Sequence, residues 1–189
     1  IALNVAGNFS LTGTGLLKNT AGNGSRTVNF NNQDSIQLFS STATGINTSS
    51  ITFNAGTASS TNTLKLQSNF VMGNGAALNI LNGATLDCGT NIVQATVANT
   101  QGNFTLNSGA NILIGSIGGI SAAGATGNIQ TGTSRVFSST ANYTYNGSSA
   151  QVSGTGLTAA ANLEINNASG VTLSANAVVS DTIRLTSGN

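Results

Sequence analysis

The sequence is poor in the side chains that carry chemistry. It has no His, one Cys, five Lys or Arg and four Asp or Glu among 189 residues. Charged residues make up 5% of the chain, against roughly 25% in an ordinary soluble domain. The formal charge of +1 and the lack of basic clusters exclude the electrostatic attraction on which nucleic-acid binding depends. A single Cys also excludes a disulfide framework.

Long hydrophobic runs are missing as well. No stretch approaches the ~18 apolar residues of a transmembrane helix, so membrane insertion is not expected. No signal-peptide pattern is present either. Because the sequence begins and ends within a repeating pattern, we expect residues 1–189 to be a single segment of a longer repetitive protein.

The pattern that is present is a short alternation, apolar–x–apolar, in which the middle residue is nearly always polar. Strand side chains alternate between two faces, so each tripeptide predicts a short strand with one buried and one wet face. The tripeptides begin at Leu3, Phe9, Val28, Ile36, Ile51, Leu64, Phe70, Leu78, Leu86, Phe104, Ile112, Tyr143, Leu163, Val171 and Ile183.

The spacing of these tripeptides favours one architecture. Several begin eight residues apart and are joined by Asn- or Gly-rich connectors, which are typical of sharp corners. Longer spacings of 20 residues (143, 163, 183) and 22 residues (64, 86) also occur. We therefore predict an all-β protein folded as a right-handed parallel β-helix, with 20–22 residues and three short strands per turn. The alternative is a string of immunoglobulin-like sandwiches, which have longer strands and more core aromatics.

Stacked turns would place particular side chains over one another. Glu164 and Arg184 are one 20-residue turn apart, and Lys65 and Asp87 one 22-residue turn apart, so we predict two stacked ion pairs. The corner Asn residues are predicted to form amide ladders. Cys88 occupies an inward position and is expected to be a buried free thiol.

The acidic residues do not suggest a catalytic centre. Glycoside hydrolysis needs two carboxylates ~5–10 Å apart, and the only acids are Asp34, Asp87, Glu164 and Asp181. Without His, no usual nucleophile–base pair can be built, and no acidic cluster is present to hold calcium. We predict no catalytic residues, no cofactor and no metal, so an enzyme fragment is the least favoured function.

The C-terminal third resembles a known group of proteins. Residues 143–157 (YTYNGSSAQVSGTGL) and 162–173 (NLEINNASGVTL) resemble repeats in giant secreted surface adhesins of Bacteroidetes-type bacteria. The rest resembles, more generically, autotransporter passengers and filamentous haemagglutinin-like adhesins. The resemblance implies export by the type IX pathway and an extracellular or cell-surface location. It also implies possible O-glycosylation at Ser35 and Thr182, within Asp-Ser/Thr-apolar motifs that could equally be capped corners.

Two functions follow as expectations. The first is a structural stalk or fibre segment of an adhesin or surface filament, whose partners are neighbouring repeats of the same protein, further copies in a filament, or surface glycans. The second is a glycan- or ice-binding β-helix. The Thr-x-Thr pairs of this sequence do not recur at the turn period, so they predict no aligned array for binding ice. The alternation places Tyr143 and Tyr145 on the inward face, so they are not expected to stack on sugars.

Overall fold

The computed structural model describes residues 1–14, 17, 26–33, 35–42, 50–57, 61–96 and 101–187. These ranges hold strands and no helix, which confirms the all-β prediction for them. No helix that could span a bilayer therefore occurs in these ranges. From the N-terminus onward the strands are β1 Ala2–Val5, β2 Phe9–Leu11, β3 Arg26–Phe30, β4 Ile36–Ser41, β5 Ile51–Ala55, β6 Thr63–Leu66, β7 Phe70–Met72, β8 Ala77–Ile80, β9 Thr85–Asp87, β10 Val93–Ala95, β11 Asn103–Leu106, β12 Asn111–Ile114, β13 Ile129–Gln130, β14 Ser134–Phe137, β15 Asn142–Tyr145, β16 Gln151–Val152, β17 Ala159–Asn166, β18 Val171–Thr172 and β19 Val178–Ser187.

The strands form four sheets of parallel neighbours. Sheet A has the order β1-β3-β5-β8-β11-β14, sheet B β2-β4-β6-β9-β12-β15-β17-β19, sheet C β7-β10-β13 and sheet D β16-β18. From β5 to β13 the polypeptide visits sheets A, B and C in rotation and adds one strand to each in every cycle. This parallel pairing is compatible with a parallel β-helix and contradicts the immunoglobulin-like alternative, whose sheets are antiparallel.

A constant turn of 20–22 residues is not what the structure has. The spacing is 22 residues between β6 and β9 and 20 between β15, β17 and β19, as predicted. However, Asn4 and Asn29 in sheet A are register partners 25 residues apart, and Asn111 and Asn142 in sheet B are 31 apart. The additional residues lie in the connectors between strands, where they leave the strand registers unchanged.

The core is built from columns of inward side chains that stack from strand to strand. In sheet A one column runs through Val28, Phe53, Leu78 and Phe104, and in sheet B one runs through Leu64, Leu86, Ile112 and Tyr143. All are at most 3% exposed. The rings packed against one another at the N-terminal end belong to Phe9, Phe30, Phe39, Phe53 and Phe70.

One strand faces opposite to the prediction. Ile36 and Leu38 were expected to point inward, but Ile36 is 58% exposed, whereas Gln37 and Phe39 are fully buried. Phe39 stacks on Phe9 with ring centroids 5.6 Å apart. A shift of one residue moves every side chain of a strand to the other face, so β4 can bury either Ile36 and Leu38 or Gln37 and Phe39. The stacking of Phe39 on Phe9 favours the second orientation.

Three buried amides, Gln37 in β4, Gln151 in β16 and Asn128 directly before β13, bond to main-chain carbonyls of other segments. Gln37 Nε2 donates to the carbonyls of Val5, at 2.8 Å, and Gly7. Gln151 Nε2 donates to Ile114 O and Ser116 O at 2.9 and 2.8 Å, and Asn128 Nδ2 to Gly89 O and Asn91 O at 3.0 and 2.7 Å. Each side-chain amide thus donates to two main-chain carbonyls, which belong to residues i and i+2 of an earlier segment of the sequence. These carbonyls are therefore hydrogen-bonded without water.

The Gly/Ala/Ser-rich residues 115–127 form a loop. An antiparallel bridge joins Ile120 and Gly127 at its base. Ile120 N donates to Ser153 O at 3.1 Å, and Gly156 N donates to Ile120 O at 2.9 Å. Gly154 lies between these bonds with φ +76°, and a Cβ there would overlap the Ile120 carbonyl.

We expect Gly154→Ala to cost more stability than Gly124→Ala, although both glycines have positive φ. Gly124, at φ +82°, has no neighbour within 4 Å of the position that a Cβ would occupy, so only the conformational cost of about 1–2 kcal/mol applies. At Gly154 the clash with a hydrogen-bonded carbonyl should add about 1–3 kcal/mol. Chemical denaturation of both variants measures the difference, and equal free energies of unfolding would contradict this close approach.

Candidate functional site

Four of the charged side chains lie in one outward column of sheet B. The column runs Lys65, Asp87, Leu113, Thr144, Glu164 and Arg184 in continuous register. Lys65 Nζ lies 3.2 Å from Asp87 Oδ2, with the two side chains 49% and 14% exposed. At this exposure such a pair contributes about 0–1 kcal/mol to the free energy of unfolding. Its role is to place opposite charges next to each other on neighbouring strands, and it does not form a reactive site.

The second predicted pair is stacked but is not an ion pair between these two described residues. Glu164 and Arg184 are register partners, yet the Glu164 carboxylate accepts a hydrogen bond from Thr186 Oγ1 at 2.6 Å. Arg184 lies on β19, at the edge of sheet B, where solvent screens its charge. A nearby hydroxyl can therefore replace an exposed ion pair of small net value.

The three described acids, Asp87, Glu164 and Asp181, are not grouped together. Asp87 and Glu164 are three strands apart in their column, which is ~14 Å at the usual strand spacing and beyond the separation that glycoside hydrolysis requires. Asp181 was expected at a corner but lies within β19, next to a register shift opposite Ala161. Asp34 lies outside the described residues. In the part of the protein that the structure describes, no three His, Cys, Asp or Glu residues are grouped as metal ligands.

Cys88 lies directly after β9 and is fully buried as a free thiol. Burial raises the pKa of this thiol, and the neighbouring Asp87 carboxylate raises it further. Because the thiolate is the nucleophilic form, the environment makes Cys88 a packing residue.

Tyr143 and Tyr145 point inward, as the alternation predicts, and are at most 1% exposed. Their hydroxyls donate to Ser138 O and Ser153 O, both at 2.7 Å. Burial raises the pKa of each, and for Tyr145 the neighbouring Tyr143 raises it further. Neither ring is therefore available to stack on a sugar.

The two residues of the predicted O-glycosylation motifs are at the surface. Ser35 is exposed in the bend before β4, and Thr182 is exposed within β19. Thr182 Oγ1 donates to Asp181 Oδ1 at 3.5 Å. The aspartate of the first motif, Asp34, lies outside the described residues.

The most regular surface feature is an amide ladder on the outward face of sheet A. Asn29 Nδ2 donates to Asn4 Oδ1 at 2.8 Å, Asn54 Nδ2 to Asn29 Oδ1 at 3.0 Å, and Asn79 Nδ2 to Asn54 Oδ1 at 3.0 Å. A shorter ladder joins Asn111, Asn142 and Asn162 in sheet B. Ladders were predicted at the corners, but these lie within strands, where a fixed register holds the amides ~4.8 Å apart.

Among the described residues, the two outward columns of sheet A that include the longer ladder have no charged side chain. Its two outward columns hold only small or uncharged side chains: Ala2, Thr27, Thr52, Ala77, Asn103 and Ser134, and Asn4, Asn29, Asn54, Asn79, Thr105 and Val136. The sequence contains a signal for this face, the 25-residue spacing of four Asn residues, which is independent of the apolar alternation.

Arg135 occupies a position that sequence reasoning missed. It is the register partner of Phe104 and so continues an inward apolar column of sheet A. Its guanidinium donates to Thr131 O at 2.6 Å, Ser121 O at 2.9 Å and Gly124 O at 2.6 Å. Partial burial lowers its pKa. The side chain thereby ties the loop at residues 120–127 to the end of sheet A.

Replacing Tyr145 by Phe should cost about 1 kcal/mol near neutral pH, because Ser153 O loses one of its two donors and keeps only Ile120 N. The native pKa is raised above the ordinary value of 10.0. The neutral Tyr145 hydroxyl therefore contributes fully to the free energy of unfolding below pH 10, and this contribution is lost as pH rises further. The difference between the two proteins should narrow by about 1.4 kcal/mol per pH unit above pH 10. Urea titrations between about pH 9 and pH 11 test this; a constant difference would contradict a raised pKa.

No protein-family model, curated protein or solved structure matches this protein.

Proposed function

We propose that this protein is a segment of a right-handed parallel β-helix that serves as a non-catalytic structural stalk or fibre in an extracellular bacterial adhesin or surface filament. In this proposal the stacked sheets set the length and stiffness of the segment. The polar exterior keeps it in solution, and any adhesive contact is made elsewhere.

The observation that carries the proposal is the continuity of sheet B. Eight parallel strands from β2 to β19 follow one another in this sheet. From β6 to β17 the inner positions beneath it are apolar and buried. Parallel pairing repeats the same main-chain hydrogen bonds at each layer, an arrangement suited to transmitting load along a stack.

The proposed partners are further turns of the same kind. β19 lies at the edge of sheet B, and its inward residues Ile183 and Leu185 are 61% and 68% exposed. These residues continue the columns of Leu163 and Ile165 beneath them. A neighbouring repeat of the same protein, or another copy in a filament, would cover them and pair with the strand edge.

An extracellular, bacterial surface location rests on the resemblance of residues 143–157 and 162–173 to repeats of giant secreted adhesins. The exposure of Ser35 and Thr182 is compatible with O-linked glycans at both positions. Glycans there would project from the stack without entering its core.

Single-molecule pulling from the two termini tests the stalk. We expect turns to detach one after another, each releasing roughly 70–110 Å for its 20 to 31 residues. Leu86→Ala should lower the force of the step that contains β9, because a buried Leu→Ala cavity costs about 2–5 kcal/mol. Leu113→Ala is the matched control, with the same side chain on the outward face of the same sheet.

One low-force transition that extends the whole protein would count against the stalk. So would turnover of a polysaccharide that is lost in Glu164→Gln, since this result would identify an enzyme.

The amide ladder supports a second candidate, binding of a flat, uncharged and regular ligand such as a crystalline polysaccharide or ice. The outward face of sheet A has two columns of small uncharged side chains, repeated at the strand spacing of ~4.8 Å. Each ladder amide retains hydrogen-bonding capacity beyond its two neighbours. This array is aligned, unlike the scattered Thr-x-Thr pairs considered from the sequence.

Thermal hysteresis measurements and sedimentation with insoluble chitin or cellulose test this candidate. If the face binds, Asn29→Asp combined with Asn54→Asp should abolish adsorption, because two adjacent charges then occupy the ladder. Gln94→Asp, on the outward side of β10 in sheet C, is the control that should retain it. Melting curves verify that each variant is folded, and lack of adsorption by the unaltered protein would eliminate the candidate.

A further inference from the structure

Two corners of the fold carry the same tripeptide in different surroundings. Asn74-Gly75-Ala76 precedes β8 and Asn82-Gly83-Ala84 precedes β9. In both, the glycine has a positive φ, +69° at Gly75 and +79° at Gly83. In both, the alanine N–H closes the turn, from Ala76 to Gly73 O at 3.3 Å and from Ala84 to Leu81 O at 3.0 Å.

The two glycine amides differ. Gly83 N donates to Gly109 O at 3.1 Å, on the stacked corner of the next turn. Gly75 N has no acceptor among the described residues, and Asn74 and Gly75 are both exposed. A third Asn-Gly pair, Asn146-Gly147, is also restrained, because Gly147 N donates to Gln151 Oε1 at 2.9 Å.

From this contrast we infer that Asn74 is the preferred site of spontaneous deamidation among the three described Asn-Gly pairs. The Gly75 nitrogen attacks Asn74 Cγ, a new bond forms between these two atoms, and the bond from Cγ to Nδ2 breaks with loss of ammonia. Water then opens the resulting succinimide at either carbonyl and leaves aspartate or isoaspartate. The net reaction consumes one water and releases one ammonia, without an oxidant or a reductant.

The hydrogen bond of the glycine amide decides the order of reactivity. A nitrogen that donates to a carbonyl must first lose that bond before it can turn toward the asparagine side chain. Glycine follows the asparagine in all three pairs, so the nature of the next residue does not distinguish them. The product places a carboxylate at a corner of a protein that has only four acidic residues. In the isoaspartate form the main chain runs through Cβ and Cγ of residue 74, and the former Asn74 main-chain carbonyl, which accepts from Ser50 N at 3.0 Å, becomes the free carboxylate.

Peptide mapping by mass spectrometry after incubation of the folded protein in mildly alkaline buffer tests the inference. Isoaspartyl methyltransferase labelling provides a second readout. We expect Asn74 to convert about tenfold faster than Asn82, which is the factor that one hydrogen bond supplies. Asn146 should also be slow.

The same protein unfolded in denaturant is the control. There the rates at Asn74 and Asn82 should converge, because the tripeptides are identical. Gly75→Ala should slow conversion at Asn74 and leave Asn82 unchanged. Equal rates at Asn74 and Asn82 in the folded protein, or faster conversion at Asn82, would overturn the inference.

Discussion

Parallel main-chain pairing in register is the constraint on which the rest of the structure depends. It places each residue ~4.8 Å from its counterpart in the next layer, so every column must consist of side chains that tolerate one another. Apolar residues satisfy this condition inside, as in the column of Leu64 and Leu86. Outside, asparagines satisfy it by bonding to each other, and Lys65 and Asp87 satisfy it by opposite charge.

Packing the sheets against one another requires buried main-chain carbonyls to be satisfied away from water. Gln37, Asn128 and Gln151 each donate to two carbonyls of an earlier segment of the sequence. Neutral amides do this at a lower desolvation cost than charged groups, which are expensive to bury. The scarcity of charge and the abundance of Asn are both consistent with this use of neutral side chains.

The sequence predicts the strands better than it predicts what joins them. Alternation located most strands and the inward positions of Tyr143 and Tyr145, because its period of two reports directly on burial. It assigned the wrong face to Gln37, because apolar alternation cannot distinguish a buried, hydrogen-bonded amide from a solvent-exposed one. Connector lengths carry no periodic signal, so the variable turn was missed. Arg135 was missed because an inward arginine contradicts the rule that locates the core.

The unequal turns have a geometric consequence. A turn of 31 residues and a turn of 20 residues each add one strand to sheet B, so both advance the stack by the same ~4.8 Å. The length along the stacking direction thus depends on the number of layers, whereas the mass depends on the number of residues. Loops such as that at residues 120–127 can grow or shrink sideways while the distance between the two ends of the stack stays fixed.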